Sequence, residues 1–115
     1  MTHVEAVVRG PSGASRRLRL LVDSGATYSV LPEAVWRELG LEVRRTVDFS
    51  LADGTTITRH VSECEFALDG DAAHSPVVLG EGADEAILGV VTLETLGLVL
   101  NPFDRTLRPM RMLLV

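Results

Sequence analysis

The sequence predicts an all-β domain, and three observations carry that prediction. Apolar residues, mostly Leu and Val, come in short runs. Turn-forming clusters interrupt them about every 8–12 residues, a spacing typical of sandwiches and barrels. Apolar positions alternate along residues 4–8 and 17–20, as half-buried strands require. At 115 residues the chain supports one domain, taken as 1–115, with one modest core.

Each element has a local cause. Val4, Ala6 and Val8 define the first strand, and Gly10-Pro11-Ser12-Gly13 is a turn. Residues 17–22 form its hairpin partner, whose alternation gives way to Leu20-Leu21-Val22 as the strand enters the core. The polar turn Asp23-Ser24-Gly25-Ala26-Thr27 leads to Val30-Leu31. Residues 32–40 read as a short helix, with Pro32 and Glu33 in its first turn and Gly40 as a left-handed stop. Residues 43–51 and 55–66 read as strands around Asp53-Gly54, a strong hairpin signal. A turn at Asp69-Gly70-Asp71 precedes a strand over 74–79. Residues 80–85 form a Gly- and acid-rich loop, and 86–89 a short buried strand ended by Gly89. Residues 91–96 fit two helical turns stopped by Gly97, and 98–100 a strand broken at Asn101-Pro102. Residues 103–108 lead to an apolar segment, 110–115, with no obvious place in one small core.

Composition narrows the function classes. The net charge of −5 argues against nucleic acid as a partner. No apolar run approaches the roughly 20 residues of a membrane span. Met1-Thr2-His3-Val4-Glu5 does not read as a signal peptide, so a cytoplasmic location is expected. A single Cys64 rules out an internal disulfide. In an alternating strand it reads as a small buried apolar residue, and a nucleophilic pair with His60 is set aside because a strand would hold the two about 13 Å apart. His3, His60 and His74 lack ligand spacing, so no metal and no cofactor are expected. Asp69, Asp71, Asp84 and Glu85 read as solvated loop acids that fit no calcium loop. Arg16, Arg17 and Arg19 read as a solvated strand face.

The informative turn is the one at Asp23. Three aliphatic residues deliver a carboxylate to the end of a core strand, where desolvation is costly unless the group is paired or used. Gly25 permits a sharp turn and leaves room beside it. Asp-Ser-Gly alone is also an ordinary turn. As a serine nucleophile, Ser24 lacks a plausible base.

The flanks resolve this ambiguity. An aliphatic triplet, Asp-Ser-Gly-Ala-Thr and then Val-Leu-Pro resemble the active-site segment of retropepsin-type aspartic proteases. A glycine-tipped hairpin over 49–57, then Ile87-Leu88-Gly89, residues 91–96, Gly97 and residues 98–100 follow in the order of that family. The resemblance spans about residues 15–108. It implies a small closed β-barrel of the acid-protease type, with a flap hairpin and one or two short helices. It further implies a peptidase in which Asp23 is catalytic, with Ser24 and Gly25 supporting its loop. Ala26, Thr27, Ala52, Asp53 and Gly54 would contact a peptide or protein substrate. Ile87, Leu88 and Gly89 would pack behind the loop as structure. Cleft specificity is expected from the flap, Val30, Leu79 and residues 80–84.

Peptide hydrolysis by this chemistry needs two carboxylates about 3 Å apart sharing one proton. Asp48, Asp53, Asp69, Asp71, Asp84 and Asp104 lack the motif, so the second carboxylate must come from another copy. A homodimer with Asp23 on its two-fold axis is expected, with 110–115 as a possible dimer strand. The alternative is a non-catalytic dimerising or peptide-binding module on the same fold. One departure stands out. Retroviral members carry an Arg after the later Gly and an Asp two places after the catalytic Gly. Here those places hold Val90 and Thr27.

Overall fold

A computed structural model describes residues 1–114. Nine strands and two short helices follow in order: β1 His3–Arg9, β2 Ser15–Val22, β3 Ser29–Leu31, α1 Glu33–Glu38, β4 Arg45–Ser50, β5 Thr56–Leu68, β6 Asp71–Leu79, β7 Ile87–Leu88, α2 Val90–Thr95, β8 Leu98–Asn101 and β9 Thr106–Pro109. This is the all-β class the sequence predicts. No helix among the described residues is long and apolar enough to cross a membrane.

Strand pairing closes on itself. The sheet order is β1-β2-β7-β3-β6-β5-β4, and β5 also pairs with β1. Six strands therefore form a ring, and β4 lies outside it. The two-residue β7 is the keystone, parallel to β2 and antiparallel to β3. It bridges two strands that are close in sequence but are not themselves paired. Inside the ring, Phe66, Leu20, Leu31, Leu39, Leu79 and Leu88 are fully buried. Ala6 and Val8 enter the same core from the alternating β1, and Leu20 and Val22 from β2.

The thirteen-residue β5 serves two purposes. Its inner half pairs with β6 and β1 and buries Val61, Cys64, Phe66 and Leu68. Its outer half pairs only with β4 and is largely exposed, forming a projecting flap. Cross-strand side chains reinforce that projection: Thr58 Oγ1 donates to Asp48 Oδ1 at 2.7 Å, and Thr46 Oγ1 lies 3.0 Å from His60 Nδ1. At the tip Leu51 N–H bonds Thr55 O and Gly54 N–H bonds Leu51 O. Only Gly54 takes positive φ, at 88°. The tip is therefore a three-residue loop with a glycine bulge, not the two-residue turn that Asp-Gly most simply suggests. The two-residue form occurs instead at Asp69-Gly70, where φ is 53° and 79°.

Other boundaries shift modestly. Pro32 precedes α1 rather than starting it, and Gly40 takes the left-handed stop at φ 69°. β6 starts at Asp71, and β5 runs to Leu68, because the tight Asp69-Gly70 turn lets the ladder begin at once. α2 starts at Val90, one residue early. A strand not foreseen, β9, pairs with β8. Residues 110–114 form no strand and leave Met112, Leu113 and Leu114 exposed; Val115 lies outside the described residues. Cys64 is buried, and burial, with Glu63 and Glu65 adding, pushes its thiol up to about 12.

Gly10 packs where no side chain fits, since a Cβ there would lie 2.1 Å from Leu39 O. Gly10→Ala should cost about 1–3 kcal/mol or more through forced backbone shifts. Gly13 has open space but φ 91°, so Gly13→Ala should cost about 1–2 kcal/mol through backbone strain alone. Urea denaturation of both variants checks the order.

Candidate active site

The Asp23 turn is held from behind by β7 and from within by its own carboxylate. Leu21 N–H bonds Ala86 O and Asp23 N–H bonds Leu88 O, each at 3.0 Å, so the ladder delivers Asp23 to a fixed height. Gly25 N–H donates to Asp23 Oδ1 at 2.9 Å, and Ala26 N–H to Asp23 O at 3.1 Å. The other carboxylate oxygen has no hydrogen-bond partner among the described residues. Asp23 is half-buried, and Ser24 and Gly25 are exposed on the surface beside it.

Between this turn and the flap lies an open cleft of about 500 Å³. Asp23, Gly25, Ala26, Thr27, Tyr28, Val30, Val78 and Ile87 form its floor and wall. Phe49, Ser50, Leu51, Ala52 and Ile57 cover it from the flap, with Arg59, Asp84 and Glu85 at one side. Of the residues expected to touch substrate, Ala26, Thr27 and Ala52 line this cleft, while Asp53 and Gly54 do not. Asp53 Oδ1 is engaged by Thr55, whose hydroxyl donates at 2.6 Å and N–H at 3.0 Å, and these bonds lower its pKa. Ser24, Leu88 and Gly89 lie off the cleft wall, but Ile87, expected behind the loop, is part of it. Leu79 is buried in the core instead of lining the cleft.

Tyr28 was not singled out by the sequence, yet it joins loop and flap. Its ring meets Phe49 edge-on at 5.9 Å between centroids. Arg45 of β4 donates to the Tyr28 hydroxyl and lies 5.8 Å from the ring centre.

Beneath the turn, α2 and a chain of buried hydroxyls hold the site. Val90 N–H bonds Ala26 O at 2.8 Å, and Val91 N–H bonds Thr27 O at 3.0 Å. Donors left free by the first helical turn thus hold the carbonyls of the Asp23 loop. Val90 and Thr27, which depart from the retroviral sequence pattern, take part through their backbones. Gly89 packs so closely that a Cβ would lie 2.5 Å from Tyr28 C. Its N–H donates to Ser29 Oγ at 2.9 Å. Ser29, Thr92 and Ser75 hydroxyls follow at 2.6 and 2.8 Å, and Ser75 donates to Pro76 O. Because both ends have a set direction, Ser29 must donate to Thr92 and Thr92 to Ser75. Each buried hydroxyl then donates once and accepts at least once. A Ser or Thr pointing inward from a short strand or helix is the only sequence signal for this network. Thr92→Val keeps the shape and orphans its partners, and should cost about 1–3 kcal/mol. Thermal denaturation, with Thr95→Val on the exposed side as control, reads it.

Asp84, expected as a solvated loop acid, is instead tied to the flap. Arg59 Nε of β5 donates to Asp84 Oδ2 at 3.0 Å, and Glu81 Oε2 lies 4.0 Å from the same nitrogen. Arg59 is 20% exposed. Burial pushes the Asp84 carboxyl up, but the Arg59 guanidinium and the Glu81 N–H outweigh it and leave it below the usual carboxylate value. A depressed native pKa means the latch contributes fully above about pH 3.9 and is lost as pH falls through the native value. Asp84→Asn should therefore lower stability at neutral pH and have a smaller effect near pH 2, as acid-titrated denaturation can show.

A family described as aspartyl protease, Asp_protease_2, matches residues 4–98. Among solved structures, EIAV protease complexed with the inhibitor HBY-793 is similar in fold, with a TM-score of 0.64 and 19% identity. The match covers 84% of this chain and 88% of that one. No curated protein matches. With most of its length matched by one family and its turn, flap and strand ring in that arrangement, the chain belongs to the aspartyl protease family.

Proposed function

We propose that this chain is a homodimeric aspartic endopeptidase whose Asp23 and its twin activate one water. The observation that carries the reading is a half-buried carboxylate at the floor of a flap-covered cleft, with no second acid of the same motif in the chain. One carboxylate takes a proton from water as the oxygen attacks the scissile carbonyl, while the protonated partner donates to the carbonyl oxygen. Collapse of the tetrahedral diol breaks the C–N bond, the nitrogen takes a proton, and an acid and an amine leave. The Gly25 N–H bond holds one oxygen of Asp23 in the orientation this exchange requires. In the proposed dimer, the Ser24 hydroxyl reaches toward the partner's loop. Exposed Met112, Leu113 and Leu114 favour contact between copies, because one core leaves them in water.

Asp23→Asn retains the shape and removes the base. Peptide cleavage should fall by at least about a thousandfold, while the melting temperature and sedimentation coefficient stay those of the wild type. Wild-type activity should fall on dilution below the dimer dissociation constant. Equal cleavage by Asp23→Asn, or a strictly monomeric active species, overturns the reading. Peptide binding without turnover in a dimer would establish the binding-module alternative instead.

A further inference from the structure

The charges around the cleft are unequal. Among the described residues Arg59 is the cationic side chain that lines the wall, and Asp84 and Glu81 already engage it; Arg45, off the lining, is held against Tyr28. Glu85 also lines the cleft, is exposed, and has no ion-pair partner among the described residues. Asp84 and Glu81 offset the Arg59 charge, while Glu85, which lines the same cleft as Asp23, has no cation to offset it among the described residues. The neighbouring wall is apolar: Val30, Ile87, Ile57 and Val78 line the same space, and Val30 pairs directly with Ile87 in the sheet. An apolar wall ending at an unpaired carboxylate suits a long side chain with a hydrocarbon stem and a cationic head.

We propose that Glu85 is a specificity-determining residue that selects peptides carrying Arg or Lys beside the scissile bond. The aliphatic stem of that residue lies along Val30 and Ile87, and its charged end meets the Glu85 carboxylate. The Arg59–Asp84 latch takes part indirectly. By keeping Arg59 engaged, it offsets the positive charge on this wall that would repel such a substrate. This inference rests on the endopeptidase reading and narrows its substrate class.

The test uses the full chain and paired peptides that differ at one position, Arg against norleucine, which keeps the stem and loses the charge. Cleavage is followed by mass spectrometry and binding by fluorescence anisotropy with non-hydrolysable versions. Wild type should favour the Arg peptide about tenfold in kcat/KM at low salt, and the advantage should shrink as salt rises. Glu85→Gln should erase the advantage, bringing kcat/KM for the Arg and norleucine peptides to the same value; Glu85→Arg should favour a Glu peptide over both. Equal use of both peptides by wild type, or an Arg preference that survives Glu85→Gln, overturns this inference and leaves the endopeptidase reading standing. Failure to cleave or bind any peptide overturns both.

Discussion

The structure depends on the insertion of β7 between β2 and β3. Those strands leave and re-enter the Asp23 turn, and without a third strand their facing backbone groups would be unpaired in the core. Two residues from a distant part of the chain satisfy them. The bond from Asp23 N–H to Leu88 O is the last rung of that insertion, so the carboxylate's position is set by the sheet. Placing a functional acid at the end of a sheet rung constrains it more tightly than a free loop does.

Everything near β7 serves that insertion. Gly89 lets the chain pass within van der Waals contact of the Tyr28 backbone, and α2 begins immediately after it. The helix then directs its unbonded N–H groups at the Ala26 and Thr27 carbonyls. Thr92, one turn in, closes the hydroxyl chain onto Ser29 and Ser75. Backbone donors and neutral hydroxyls thus hold the loop without a buried ion pair among the described residues. Neutral bonds avoid the desolvation of two charges, and their strength does not change across the acid range.

The flap follows the opposite logic. Its strands bury little and hold together through their own ladder and cross-strand polar pairs. Contacts that tie it to the body include the Tyr28–Phe49–Arg45 group beside the Asp23 loop and the Arg59–Asp84 pair at its base. Elements with few buried contacts open at low free energy. A cover that must open therefore belongs on this hairpin, not on the ring.

This division explains what was legible in the sequence. Alternation revealed β1 and β2 because their faces differ, and the Asp23 turn was legible because an acid after Leu20-Leu21-Val22 is anomalous. Ile87 and Leu88 were recognisable as a buried strand, but their partners were not, since pairing at that distance leaves no local trace. The same holds for Ser29, Ser75 and Thr92, which look like ordinary polar residues until the fold joins them. Asp84 and Glu85 illustrate the limit. Adjacent acids in a Gly-rich loop read as solvent-facing, yet one is committed to Arg59 and the other is left at the cleft wall. Whether a charge is free depends on which cation the fold brings to it, and Arg59 lies 25 residues away in sequence. The anomaly of the Asp23 carboxylate is local and readable; the charge environment of the cleft beside it belongs to the tertiary structure.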